Sequence, residues 1–143
     1  MTEISFHFNV PSRTGYACRL LRRAQRQGMA LAVAGPVEAL AEIDRELWTF
    51  SGSDFLAHHW IDRIADVPPS LRAATIWLGV NPIDAPRHEG LLNLGSEAPL
   101  AFETFERVFE VVSLEDADRQ AARERWKVYA RRGYLIKRHE VHA

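Results

Sequence analysis

The residues from Met29 to Pro36 read MALAVAGP, and this stretch decides the fold class. Six apolar residues in a row, from Met29 to Ala34, are typical of a short strand that is buried on both faces of a sheet. Gly35 and Pro36 then predict the start of a helix, because proline is favoured at the first helical position. A buried strand that leads directly into a helix indicates an α/β protein.

The chain before this stretch predicts one more strand and one more helix. Residues 4–10 alternate apolar and polar side chains, which indicates a strand, and Pro11 ends it. Thr14 is placed to cap the helix that follows, and Gly28 is placed to stop it. The apolar face of this helix comprises Ala17, Leu20, Leu21 and Ala24.

The chain after this stretch predicts a second helix and three further strands. The apolar face of the second helix comprises Val37, Leu40, Ala41, Leu47 and Trp48. Residues 50–66 predict a loop with a short helical piece. The further strands are predicted at Ala73–Val80, Gly90–Leu94 and Val108–Val112.

The last predicted helix follows the fifth strand. Ser113 and Asp116 have the spacing of a capping box, with Asp in place of the usual Glu or Gln, and predict where this helix begins. The helix runs to about Arg132, and Gly133 stops it. Strands that alternate with helices predict, for residues 1–143, a single α/β domain with a mostly parallel open sheet and helices on both faces.

The composition indicates a soluble globular protein without a global basic field. The formal net charge is -1, so any electrostatic site must come from local clustering of charges. The one cysteine, Cys18, cannot form an internal disulfide, and we expect it to be a packing residue in a helix. We find neither a signal peptide nor an apolar run of about 18 residues, and we therefore expect a cytoplasmic protein.

Motifs that carry chemistry are missing from the sequence. It has no Walker-type phosphate loop and no glycine-framed serine, and residues 10–13 (VPSR) stand where a dinucleotide-binding fold has its glycines. His58 and His59 are adjacent, so their side chains diverge and are poor partners for one metal ion. We therefore expect a nucleotide-binding-like fold without a phosphate loop, with no metal, no cofactor and no catalytic residues.

The last helix carries the clearest functional signal. A basic stripe recurs every four residues along it and comprises Arg119, Arg123, Lys127 and Arg131, whereas Arg125 and Arg132 are expected on other faces. An edge of aromatic and small residues lies beside the stripe and comprises Ala122, Trp126, Tyr129 and Gly133.

The stripe and this edge suit an acidic ligand that ends in an apolar group. Arginine can hold a carboxylate with two parallel hydrogen bonds, and lysine adds a point charge. An apolar side chain can enter a pocket formed by Trp126 and by a valine at the end of a strand, such as Val112. These are the requirements for capturing the C-terminal carboxylate of a peptide.

Three other interpretations stay open on these observations. In the first, the basic stripe is only a solvent-exposed helix end, and Trp126 only packs in the core. Arginine beside tryptophan also suits direct binding of single-stranded DNA, although the near-neutral net charge argues against strong binding. A fold of this class can also form a cryptic enzyme or a nucleotide-binding protein.

The segment ARERWKVY at residues 122–129, followed by Gly133, resembles the signature of the DNA polymerase III chi subunit family. Three other segments agree with this family in order and spacing. They are Leu47-Trp48, residues 55–58 (FLAH), and Phe105 leading to residues 110–112 (EVV). These segments lie between residues 47 and 133 of the chain.

The resemblance implies a non-catalytic accessory subunit that acts in DNA replication. Such a subunit belongs to the clamp-loader assembly, binds the psi subunit, and reaches nucleic acid mainly through single-stranded DNA-binding protein (SSB), whose acidic C-terminal tail it binds. Ala57 stands where the family often has proline, so the loop around it is expected to differ in shape. The implied tail-binding residues are Val112, Arg119, Arg123, Trp126 and Lys127, and the implied psi-binding residues are Trp48, Phe55 and His58.

Overall fold

The computed structural model describes residues 2–49, 57–69 and 76–141. Within these ranges seven strands form one open sheet in which every neighbouring pair is parallel. The strands are β1 (Glu3–Val10), β2 (Leu31–Ala34), β3 (His58–Trp60), β4 (Ile76–Gly79), β5 (Gly90–Asn93), β6 (Arg107–Ser113) and β7 (Ile136–Glu140). They lie in the order β3-β4-β2-β5-β6-β1-β7. The predicted α/β class with a parallel sheet is confirmed.

The connections between the strands are helical. In the described ranges the α-helices are α1 (Arg13–Arg26), α2 (Val37–Thr49) and α3 (Asp116–Arg131), and short 3-10 helices lie at Ile61–Asp66, Pro82–Asp84 and Phe102–Thr104. The first 3-10 helix is the helical piece predicted within residues 50–66. Ser12, and not Thr14, caps α1, because the helix begins two residues earlier than predicted and the Ser12 hydroxyl accepts a hydrogen bond from the Gly15 amide.

Helices cover both faces of the sheet. Successive residues of a strand point to opposite sides, so Val33 of β2 packs against α1 and α2, whereas its neighbour Ala32 packs on the side of α3. Cys18 of α1 is fully buried among the first set, as predicted, and burial raises the pKa of its thiol to about 12. The sheet is therefore the central layer, with α1 and α2 on one side and α3 on the other.

A bulge near the end of β1 changes the face to which that strand directs its side chains. Phe6 packs on the α3 side, but Val10 packs on the α1 side. The pairing of β1 with β6 shifts between His7 and Val10, and Asn9 there has a φ of 62°, a left-handed conformation that asparagine tolerates. The strict alternation that the sequence predicts over residues 4–10 is broken at this point.

Two strands of the sheet were not predicted. The three residues of β3 fall within the segment predicted as loop, and a strand this short shows no periodicity. The other, β7, reads IKRHE and is mostly exposed, which is how an edge strand avoids pairing with other chains. The third predicted strand is described only as Ile76–Gly79, and residues 73–75 lie outside the described ranges.

The apolar face predicted for α2 is wrong at two positions. Leu40, Ile43 and Leu47 are buried, but Val37 and Trp48 are 58% and 60% exposed. Trp48 follows the buried Leu47 by one residue, which turns it by about 100° around the helix. Trp48 therefore lies on the surface of the protein and not in its core.

His7 gives the fold a predicted dependence on pH. Burial, together with the nearby charges of His139 and Arg23, lowers the pKa of His7 to about 4, and its Nδ1 is hydrogen-bonded with the Tyr16 hydroxyl. Since an unfolded histidine titrates near 6.5, the unfolded state binds this proton first as the pH falls. We expect the free energy of unfolding to drop by about 2 kcal/mol between pH 7 and pH 5 from this group alone.

Urea unfolding of the wild type and of His7→Gln at both pH values measures this contribution. The variant should lose less stability between pH 7 and pH 5 than the wild type does. Parallel pH profiles for the two proteins would show that His7 is not responsible.

Candidate functional site

A pocket of about 460 Å³ lies between α3 and the strands β1, β6 and β7. The lining residues are Phe6, Phe8, Asn9, Val112, Ser113, Arg119, Ala122, Arg123, Trp126, Lys127 and Arg138. The structure therefore brings together, around one cavity, all five residues that the sequence indicates for a tail-binding site.

The floor of the pocket is apolar and largely aromatic. Trp126 of α3 is half-buried and its ring lies 5.1 Å from that of Phe6, centroid to centroid. Phe8 continues the floor along β1, and the buried Val112 closes it where β6 ends. Such a floor favours an apolar group of a ligand, because burying that group removes apolar surface from water.

The rim of the pocket on the α3 side is cationic. Arg119, Arg123 and Lys127 are exposed, and the rise of an α-helix separates the first from the last by about 12 Å. Lys127 Nζ lies 3.3 Å from Glu124 Oε1 with both side chains about 60% exposed. A pair of this kind contributes little and leaves the lysine able to bind another anion. Arg131, the fourth residue of the stripe, lies outside the pocket lining, because a four-residue spacing drifts around the helix.

The start of α3 is fixed by Asp118 and not by the predicted Asp116. The Ser113 amide donates a 2.7 Å hydrogen bond to Asp118 Oδ2, and the Glu115 amide donates one of 3.3 Å to the Ser113 hydroxyl. Asp118 is the third residue of the helix, the position from which an acidic side chain reaches back to the preceding backbone. These bonds tie the end of β6, beside the pocket, to the first turn of α3.

The opposite side of α3 is anchored by a buried polar cluster, the Glu110 cluster, comprising Asn93, Glu110, Arg125 and Tyr129. Arg125 Nε donates to Glu110 Oε1 at 2.8 Å, and the Tyr129 hydroxyl and Asn93 Nδ2 donate to Glu110 Oε2 at 2.6 and 2.9 Å. The side chains of Arg125 and Glu110 are 1% and 0% exposed. Arg125 is thus a buried anchor and not a surface charge on another face of the helix, and Tyr129 faces the sheet and not the pocket.

The cluster fixes the rotation of α3 about its own axis. Burial raises the pKa of the Glu110 carboxyl, while the charge of Arg125 and the hydrogen bonds from Tyr129 and Asn93 oppose that shift. Arg125 Nη1 also donates to the Ser96 carbonyl at 3.2 Å, which links the helix to the loop after β5. With Arg125 held against the sheet, the neighbouring Trp126 and Lys127 are directed to the pocket.

Two of the three residues indicated for psi binding, Trp48 and His58, lie at the other end of the sheet. The ring of the exposed Trp48 meets that of His58 edge-on at 5.2 Å, and His58 Nε2 lies 2.6 Å from Asp44 Oδ1. The third residue, Phe55, lies outside the described residues. His58 belongs to β3 at one edge of the sheet, whereas the pocket is completed by β7 at the opposite edge.

Five lining residues of the pocket were not indicated as site residues by the sequence: Phe6, Phe8, Asn9, Ser113 and Arg138. Phe6 and Phe8 were predicted to alternate on a strand, but alternation does not say which helix covers which face. Arg138 belongs to the unpredicted strand β7. The one available signal was the aromatic pair on β1 at a spacing of two residues, which places both rings on a single face of the strand.

In the described ranges, no helix is long and apolar enough to cross a membrane. Nor do three or more His, Cys, Asp or Glu side chains of these ranges come together as metal ligands would.

Fold and site together define a parallel α/β protein with a pocket that combines a cationic rim with an aromatic floor. The sequence matches the DNA polymerase III chi subunit, HolC, over residues 1–137, and the chain belongs to this family.

Two relatives bear the name DNA polymerase III subunit chi. The relative from Pseudomonas aeruginosa is 35% identical over 147 residues, covering 99% of this chain and 98% of its own. The relative from Haemophilus influenzae is 29% identical over 126 residues, covering 87% of this chain and 85% of its own. The resemblance found in the sequence is confirmed, and the chain is an accessory subunit of DNA polymerase III with a role in replication.

Proposed function

We propose that this subunit links the clamp-loader assembly of DNA polymerase III to SSB by binding the acidic C-terminal tail of SSB in the pocket between α3 and β7. One observation carries the proposal: a single cavity combines an aromatic floor with three exposed cations on its rim. A peptide that is acidic and ends in an apolar residue meets both features at once. The subunit acts by binding and performs no catalysis.

The two parts of the pocket have different tasks in this mechanism. The rim cations attract the acidic residues over a distance set by salt screening and hold carboxylates by charge-assisted hydrogen bonds. The floor buries the apolar terminal side chain against Phe6, Val112 and Trp126. Neither part suffices alone, because the charges act strongly on any anion and the floor accepts any apolar group. Their combination gives the specificity for an acidic peptide with an apolar end.

Fluorescence anisotropy of a labelled peptide that copies the SSB tail tests the proposal. We expect saturable binding that weakens as the salt concentration is raised, since the rim cations form ion pairs with the acidic residues of the peptide. The same peptide with an amidated C-terminus is the matched control and should bind more weakly. Absence of binding by folded protein would overturn the proposal. Titrations with nucleotides and with single-stranded DNA would then test the nucleotide-binding and DNA-binding interpretations.

The second proposed contact is with the psi subunit, through Trp48, Phe55 and His58. Of these, Trp48 is exposed, whereas the side chain of His58 is 2% exposed and lies beneath the ring of Trp48. Trp48 supports this proposal because a tryptophan that is 60% exposed is costly to leave in water and is typical of interface anchors. The two proposed surfaces lie at opposite edges of the sheet, so that both partners fit at the same time.

Trp48→Ala should weaken binding of psi by about tenfold or more and leave binding of the tail peptide unchanged. Because Trp48 is exposed, the free energy of unfolding should change by less than about 1 kcal/mol. Isothermal titration with purified psi and with the tail peptide measures both affinities. Val37→Ala is the matched control, since Val37 is equally exposed at the other end of α2. Equal losses of both affinities in a folded variant would contradict the two-surface arrangement.

A further inference from the structure

The wall of the pocket opposite α3 carries a cation of its own. Arg138 lies on the edge strand β7 and lines the pocket. It is paired in register with Phe6 of β1, and Phe6 in turn contacts Trp126 of α3. Arg138, Phe6 and Trp126 therefore form one cross-section of the pocket, and Lys127 is the next residue of α3. Two cations, Lys127 and Arg138, thus flank the aromatic floor from opposite sides.

The charge of Arg138 is available to a ligand. Its guanidinium lies over the ring of Phe8 at 5.1 Å from the centroid, which orients it along the floor. Among the described residues Arg138 forms no ion pair. The nearest acidic residue on the same face of β7, Glu140, accepts a 3.0 Å hydrogen bond from Asn9 instead. Lys137 points to the other face and lies 3.3 Å from Glu3 Oε1.

We infer that Arg138 is a specificity-determining residue of the pocket, and that Lys127 and Arg138 bind two adjacent acidic residues of an extended peptide. In an extended chain successive side chains point in opposite directions. A peptide lying along the floor between α3 and β7 therefore directs one carboxylate to Lys127 and the next to Arg138. This inference rests on the proposed function of the pocket and defines its ligand more narrowly: adjacent acidic residues, and not net negative charge alone.

Arg138→Gln tests this assignment. We expect it to lower the affinity for the tail peptide by about fivefold and to reduce the dependence of that affinity on salt. Lys137→Gln is the matched control, because it removes the same charge from the neighbouring residue of the same strand, on the opposite face, where the side chain is 67% exposed. The control should bind the peptide nearly as the wild type does.

Peptides in which one acidic residue at a time is changed to its amide locate the contact. With the peptide that lacks the acidic residue bound by Arg138, Arg138→Gln should cause no further loss of affinity. With each of the other peptides it should cause its full loss, which is how a double-mutant cycle detects a direct pair. Equal losses for Arg138→Gln and Lys137→Gln, or equal losses with every peptide, would overturn the inference. Failure of the wild type to bind the unaltered peptide would instead overturn the proposed function.

Discussion

Lys127→Glu is expected to lower the affinity for the SSB tail peptide by about 30- to 100-fold, equivalent to about 2–3 kcal/mol. The change removes one cation from the rim and sets a carboxylate against the acidic peptide. Because Lys127 is 59% exposed and makes only a weak pair with Glu124, the free energy of unfolding should change by no more than about 0.5 kcal/mol. Fluorescence anisotropy and urea unfolding measure the two quantities.

Arg131→Glu is the control that separates the pocket from the general charge of the helix. Arg131 continues the same stripe, is exposed and belongs to the same helix, but it does not line the pocket. The variant carries the same change in net charge and should lose only a few-fold in affinity. If Arg131→Glu and Lys127→Glu weaken binding equally, the ligand is held by the net charge of α3, and the assignment of the site is wrong.

Arg125→Ala is expected to lower the free energy of unfolding by about 3–5 kcal/mol, because it leaves the Glu110 carboxylate buried without its cation. This is a large fraction of the stability of a domain of this size. Urea unfolding followed by circular dichroism measures the loss. Arg123→Ala, on the exposed side of the same helix, should cost less than about 0.5 kcal/mol and controls for the change in helix propensity.

Combining Arg125→Met with Glu110→Gln separates the charge pair from the packing. Removing both charges should cost less than the sum of the two single changes, because neither partner is then left as an unpaired buried charge. Additive losses would indicate that the two side chains contribute by packing alone. Any destabilised variant that still folds should also bind the tail peptide more weakly, since the Glu110 cluster sets the rotation of α3.

The sequence predicts those elements whose pattern is long enough to show a period. The strand at residues 4–10, the run from Met29 to Ala34 and the last helix all carry such a pattern. The missed strands do not: β3 has three residues, and β7 exposes most of its side chains. The position of a short or exposed strand is determined by hydrogen bonds to a neighbouring strand. That neighbour can be distant in sequence, so no local pattern reveals the pairing.

The site is predicted for the residues of α3 and for Val112 at the end of β6, but not for the residues of β1 and β7. The spacing of Arg119, Arg123 and Lys127 fixes their common side through the geometry of the helix alone. Arg138 reaches the same pocket through the pairing of β7 with β1, across more than one hundred residues, and no local pattern contains that information.

The periodicity of a helix gives the angle between two side chains around its axis, but it does not tell which side of the helix is buried. It placed Arg125 away from the stripe but could not tell solvent from core. The signal that could have decided this was Glu110, the one charged residue in the otherwise apolar predicted strand Val108–Val112, because a buried charge needs a partner of opposite sign. The same limit applies to Trp48. Its apolar side chain favoured a position in the core, but α2 places it on the exposed side of the helix.

The order of the strands has a consequence for how the two proposed contacts influence each other. Six steps of about 4.8 Å separate β3 from β7, so the sheet holds the two surfaces about 30 Å apart. The strands are hydrogen-bonded to one another, and β2, β4 and β5 in the sheet are buried on both faces, which leaves little room for one edge to move when the other is occupied. The coupling free energy between the two partners should then be close to zero, and the occupancy of each site should follow its own concentration. A subunit of this kind sets the distance between its two partners and does not couple the binding of one to the binding of the other.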